Sequence, residues 1–235
     1  MSNRIKIAIL LTSFSMLTAQ AQVTSAHTKG NVMAQFSTCH APDLFKAIVA
    51  NPKVFSSAPL GTLDAGKYIK VKSRDGMADG VDARIVFKNP ITIDGMKVLG
   101  FYDSYDSTLA KISAELGSFL FWGFYVAGTP LEVSKQFNQT VPDANHLQTQ
   151  VDGSFSKNEI RYITSPIGVW EKVGNESAGK IAKAGTVERA LLLEQISNED
   201  SKKMGFDTPV TTIFCTIQGS VDEELLKFER PDISK

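Results

Sequence analysis

At 235 residues the chain is long enough for one substantial hydrophobic core or two small ones. Its 25 basic and 25 acidic residues cancel, which excludes the basic excess that sequence-independent nucleic-acid binding requires. Like charges form no long run, so no membrane-surface helix is expected either.

The chain opens with Arg4 and Lys6, then the apolar run Ile7–Thr18, "IAILLTSFSMLT", then Ala19-Gln20-Ala21. A basic head, an h-region and an A-x-A site in that order predict a removed signal peptide over residues 1–21. The apolar run is shorter than the about 20 residues a membrane helix needs, and no later segment is long enough to cross one. Lipidation of Cys39 is not expected, because a polar stretch separates it from the apolar run. Residues 22–38, "QVTSAHTKGNVMAQFST", read as a flexible lead, and 39–235 as a single domain.

The first helix is predicted over Pro42–Ala50. Proline suits its first turn, Asp43 faces the positive end of its dipole, and Asn51-Pro52 ends it. Strands follow at 68–72 and at Val81–Lys88, where Val81, Ala83, Ile85 and Phe87 share a face. Asp94-Gly95, between two apolar runs, signals a two-residue hairpin, since both turn positions need positive φ. A short helix is expected over 107–117. The aromatic run Phe119–Val126, "FLFWGFYV", is apolar on both faces and reads as a covered central strand.

Thr129-Pro130-Leu131-Glu132 opens a helix over 130–138 as a capping box with proline at its first position. Further strands are expected at 146–151, 159–164 and 187–193, with loops at 139–145 and 171–186. Val210–Gln218 is a strand, and a helix over Ser220–Phe228 is predicted to start on a Ser220–Glu223 capping box. Antiparallel hairpins with a few short helices make the class α+β, a mainly antiparallel sheet carrying short helices and one disulfide.

The two cysteines of an exported chain most simply pair, Cys39 with Cys215. In the last strand Ile213, Cys215 and Ile217 share a face, which turns Cys215 inward. Closing so long a loop stabilises by roughly 5 kcal/mol in the chain-entropy model. Cys39-His40 as a reactive site fares worse. Haem attachment needs C-x-x-C-H, zinc needs more ligands, and adjacent residues on an extended chain point apart.

Other constellations are weaker. Asp75–Asp82 faintly resembles a calcium loop, but Met77 replaces a ligand and Val86 stands where the bidentate glutamate belongs; a polar glycine-containing loop is the simpler reading. Asp103–Ser107 offers two carboxylates in what reads as a loop. No nucleophile elbow, zincin motif, dinucleotide fingerprint or P-loop is present. No metal site and no cofactor are expected.

Three functions remain open. The first is a non-enzymatic binding or accessory role in the cell envelope, periplasmic or secreted, with an envelope protein or a small apolar ligand as partner. The second is a small-ligand carrier with Phe121, Trp122 and Tyr125 lining a pocket. The third is a hydrolase built on His146 with Asp103 or Asp106.

Overall fold

Period-2 alternation from Asp82 onward resolves into one antiparallel sheet. The computed structural model describes residues 31–58, 60–63, 68–71, 82–107, 117–173 and 184–233. Its main strands are β3 (Asp82–Ile93), β4 (Met96–Asp106), β5 (Ser118–Ala127), β7 (Phe155–Tyr162), β9 (Thr186–Gln195) and β10 (Val210–Gly219). Short β6 (Gln148–Thr149) and β8 (Glu171–Lys172) extend one edge, and β1 (Leu60–Leu63) pairs with β2 (Tyr68–Val71) in a separate ribbon. The eight-stranded sheet runs β3-β4-β5-β10-β9-β7-β6, with β8 on another part of β7. The last long strand therefore lies at its centre, between β5 and β9. The α+β class is thus realised as a single large antiparallel sheet with short helices.

Those helices are α1 (Val32–Phe36), α2 (Ala41–Ala50), α3 (Pro130–Thr140), α4 (Asn198–Lys203) and α5 (Glu223–Glu229). Helices α1, α2 and α3 supply Phe36, Leu44 and Phe137 to the main core, where Trp122, Phe124, Ile213 and Cys215 meet them from the inner face of the sheet. Phe124 holds Phe36 and Phe101 edge-on, with ring centres 5.3 and 5.2 Å away. Edge-to-face pairs of this kind add to what the buried area alone contributes.

The hairpin at Asp94-Gly95 has φ of 47° and 85°, as a primed turn demands. The turn is also a docking point. Asp94 Oδ2 accepts from the Met33 backbone N–H at 2.7 Å, and Gln136 Nε2 donates to the Gly95 carbonyl at 2.8 Å. One turn thus ties α1 and α3 to the sheet.

The flexible lead expected over 22–38 does not hold for its described part. Residues 32–36 form a helix whose Val32, Met33 and Phe36 are buried. Asn31 caps that helix, accepting from the Ala34 N–H, and its own amide reaches the Thr140 carbonyl. Residues 22–30 and the segment 1–21, expected as a signal peptide, lie outside the described residues. So do residues 108–116 of the helix expected over 107–117, and the calcium-like segment apart from Asp82, which opens β3.

Four other boundaries differ. Asp103–Asp106, expected in a loop, continue β4. The strand expected at 159–164 begins at Phe155, and that at 146–151 shrinks to two residues. The last helix is capped by Asp222, whose carboxylate accepts from the Leu225 N–H at 2.8 Å, and not by Ser220. Ser220 still belongs to the sheet: its N–H reaches the Thr186 carbonyl and its hydroxyl accepts from Gly185. The ladder carries the chain past the first cap before the helix can start.

Cys39, between α1 and α2, is bonded to Cys215 of β10, with 5.4 Å between their Cα atoms. The neighbouring His40 is structural. Its Nδ1 lies 2.9 Å from Glu229, a buried carboxylate that also faces Arg189 at 3.5 Å and accepts from Trp170 Nε1 at 3.2 Å. Arg189 in turn pairs with Glu159 and lies 4.3 Å over the Trp170 ring. This network clamps α5 against the β7–β9 edge of the inner face.

Candidate functional site

The helices α1, α2 and α3 cover one face of the sheet. The opposite face carries a groove, and the register of the strands explains why. Side chains directly opposite one another share a face. One row across the sheet reads Tyr102, Gly123, Phe214, Leu192; the next reads Gly100, Tyr125, Thr212, Glu194. Tyr102, Tyr125, Phe121 and Phe214 from these and the neighbouring row form the groove's aromatic walls. At Gly123 a Cβ would run into Phe214 and the Ile213 carbonyl, so the close approach of β5 and β10 requires glycine there.

The connection between β9 and β10 completes one wall. Its Met204 and Phe206 fold back onto a small apolar cluster formed by Leu99, Tyr125 and Val210. The result is a groove of about 410 Å³, inside the range of small-molecule sites. Among the described residues it is lined by Tyr102, Phe121, Tyr125, Phe214, Leu192, Ile196 and Met204, with Arg84, Glu194 and Asp200 as charged groups and Thr212, Thr216 and Gln218 as uncharged polar ones. The Phe121–Phe214, Tyr102–Tyr125 and Tyr125–Phe206 ring centres are 6.0, 6.3 and 6.4 Å apart. The Arg84 guanidinium lies over Tyr102 at 5.9 Å.

Beyond Phe121 the same face turns polar. The next rows read Ser104, Phe121, Thr216, Ala190, Asn158 and then Phe119, Gln218, Glu188, Ile160. Gln218 Nε2 donates to Glu188 Oε2 at 2.6 Å. Burial pushes the Glu188 carboxyl above the usual glutamate range, and the bond from Gln218 offsets this only in part. Glu194, at the mouth, is also pushed up by its surroundings.

Of the residues expected to line a pocket, Phe121 and Tyr125 stand on the groove. Trp122 does not: it lies on the inner face, fully buried, with the Arg230 guanidinium 5.2 Å over its ring. Strand alternation puts it there, since 122 is out of phase with 121 and 125. The aromatic strand is central, and its core face is the one carrying Trp122 and Phe124.

The groups weighed for a hydrolase do not converge. His146 Nε2 faces the Val141 carbonyl at 3.2 Å and Asp143 at 3.4 Å. Asp103 is buried on the inner face against Arg230 at 3.0 Å. Its strand β4 and the His146 edge at β6 have four strands between them. No group of three or more histidine, cysteine or acidic side chains able to hold a metal occurs among the described residues. No helix among them is long and apolar enough to cross a membrane.

Tyr102, Leu192, Phe214, Thr216 and Gln218 were not foreseen as site residues. Their signal was present: each alternates in phase with Phe121 or Tyr125 once the register is known. No protein-family model, curated protein or solved structure matches this chain.

Proposed function

We propose that the protein is an exported, non-enzymatic binding protein that holds a small, mainly apolar ligand in the groove on the outer face of its sheet. The observation that carries this reading is the groove itself: about 410 Å³, walled in its described lining by seven aromatic and aliphatic side chains with six polar or charged ones among them. Export is supported by the basic head, apolar run and A-x-A order of residues 4–21 and by a disulfide suited to an oxidising compartment, the periplasm or the exterior.

Titration with the environment-sensitive probe N-phenyl-1-naphthylamine tests the proposal. Saturable fluorescence enhancement at one site per chain is expected, sharply reduced in Phe121→Ala and Tyr125→Ala and unchanged in Leu131→Ala, an exposed position on α3. No saturable enhancement, or equal enhancement in all variants, would overturn it.

A further inference from the structure

Thr216 and Gln218 line the polar end of the groove, and Glu188 and Asn158 stand beyond it on the same face, outside its lining. Thr216 Oγ1, Glu188 Oε1 and Asn158 Oδ1 are all buried without a hydrogen-bond partner, on residues only 1 %, 3 % and 5 % exposed. They surround one small residue. Thr216 and Asn158 are the cross-strand neighbours of Ala190 on either side, and Glu188 lies two residues along β9 on the same face. Thr216 and the Glu188 partner Gln218 line the groove. All three unpartnered atoms are oxygens. The amide oxygen only accepts, the hydroxyl can accept, and the carboxylate accepts when ionised. Unpartnered buried groups of this kind are costly, and what would satisfy the set is a donor.

Charge points the same way. The groove itself holds Glu194 and Asp200 against Arg84, and Glu188 lies just beyond Gln218. The aromatic wall already accommodates a cation, since Arg84 lies over Tyr102. Burial raises the carboxyls of both Glu188 and Glu194, an effect that an arriving cation would reverse.

Resting on the groove as the binding site, we infer that its ligand is an amphipathic organic amine, with the apolar body against Phe121, Tyr125 and Phe214 and the ammonium donating to the Thr216–Glu188 end. An ammonium brings N–H donors and a positive charge to an end that offers the Thr216 hydroxyl and, next to Gln218, the Glu188 carboxylate. A carboxylate head would bring acceptors to acceptors and a like charge to Glu188. An alcohol would bring one donor and no charge.

Calorimetric titration with octylammonium, octan-1-ol and octanoate, on the full chain at neutral pH, separates these heads on one tail. Octylammonium is expected to bind about tenfold tighter than either of the others, the ratio that one hydrogen bond to a charged group supplies. Thr216→Val, isosteric without the hydroxyl, and Glu188→Gln should each shrink that preference. Far-ultraviolet circular dichroism checks that each variant folds, and either variant alone suffices. If octanoate or octan-1-ol binds as tightly as octylammonium, the three oxygens are satisfied by ordered water and the amine inference falls, while the groove stands as a binding site. A preference that persists in the folded variants places the amine elsewhere and overturns the inference as well. If none of the three ligands binds, the groove reading falls with it.

Discussion

Gln218 and Glu188 face each other directly across the centre of the sheet, 2.6 Å apart, both more than nine-tenths buried. A glutamate held there by a neutral amide keeps its proton longer in the folded chain than in the unfolded one.

That relationship sets a sign for stability against pH. With its folded pKa raised, Glu188 stays protonated over a window in which the unfolded chain has already lost the proton. The unfolded state then binds fewer protons, so this group's contribution falls as pH rises above about 4.3, the ordinary glutamate value. Glu188→Gln removes the cost and still offers Gln218 an acceptor. The variant should gain melting temperature relative to wild type at pH 7.5 and gain much less at pH 4. An equal change at both pH values would show that Glu188 ionises normally.

Trp122 and Phe121 are adjacent in the chain and face opposite sides of the sheet. Trp122→Ala empties the main core and should cost about 3–5 kcal/mol in urea denaturation. Phe121→Ala removes a half-buried ring and should cost less, while abolishing probe binding. Equal costs would mean that the two faces are equally packed.

The Cys39–Cys215 bond closes a loop of 176 residues. Its reduction should lower stability by about 5 kcal/mol on the chain-entropy model. Non-reducing peptide mapping of the purified protein should yield the cross-linked pair, and two freely alkylated thiols would contradict the bond.

Helix α1 is integral to the core: Phe36 is buried against Phe124. Limited proteolysis of the native protein should spare residues 32–40, and Phe36→Ala should cost about 3–5 kcal/mol. Rapid cleavage within that helix would contradict its docking.

The positive charge of Arg230 lies in the core between Asp103 and Asp232, at 3.0 and 2.8 Å, above the Trp122 ring. Replacing it with leucine takes the cation away from a buried carboxylate, and such losses cost about 3–5 kcal/mol. Denaturation of Arg230→Leu measures this; a neutral result would mean that Asp103 is held by its other contacts.

Local chemistry made much of this architecture legible. Ile213, Cys215 and Ile217 alternate in phase, so the inward turn of Cys215 follows from period 2. Asp94-Gly95 and Thr129–Glu132 carry their turn and cap in the residue types themselves. What escaped depends on distant partners. "VMAQF" is too short to be a helix on its own strength; Asp94 and the main core make it one. Ser220 and Asp222 are both good caps, and the Thr186 carbonyl decides between them. The burial of Thr216, Gln218 and Glu188 depends on how five strands align and not on any one strand. Grouping Trp122 with Phe121 and Tyr125 followed composition where alternation was the better guide.

Amide chemical-shift mapping of the isotopically labelled protein during titration with N-phenyl-1-naphthylamine tests the groove most directly. If the outer groove is the binding site, the perturbations should concentrate on β5, β10 and β9 around Phe121, Tyr125, Phe214 and Leu192, and spare α1, α2 and the hairpin at Asp94. Perturbations centred on those helices, or spread evenly with no saturation, would contradict it.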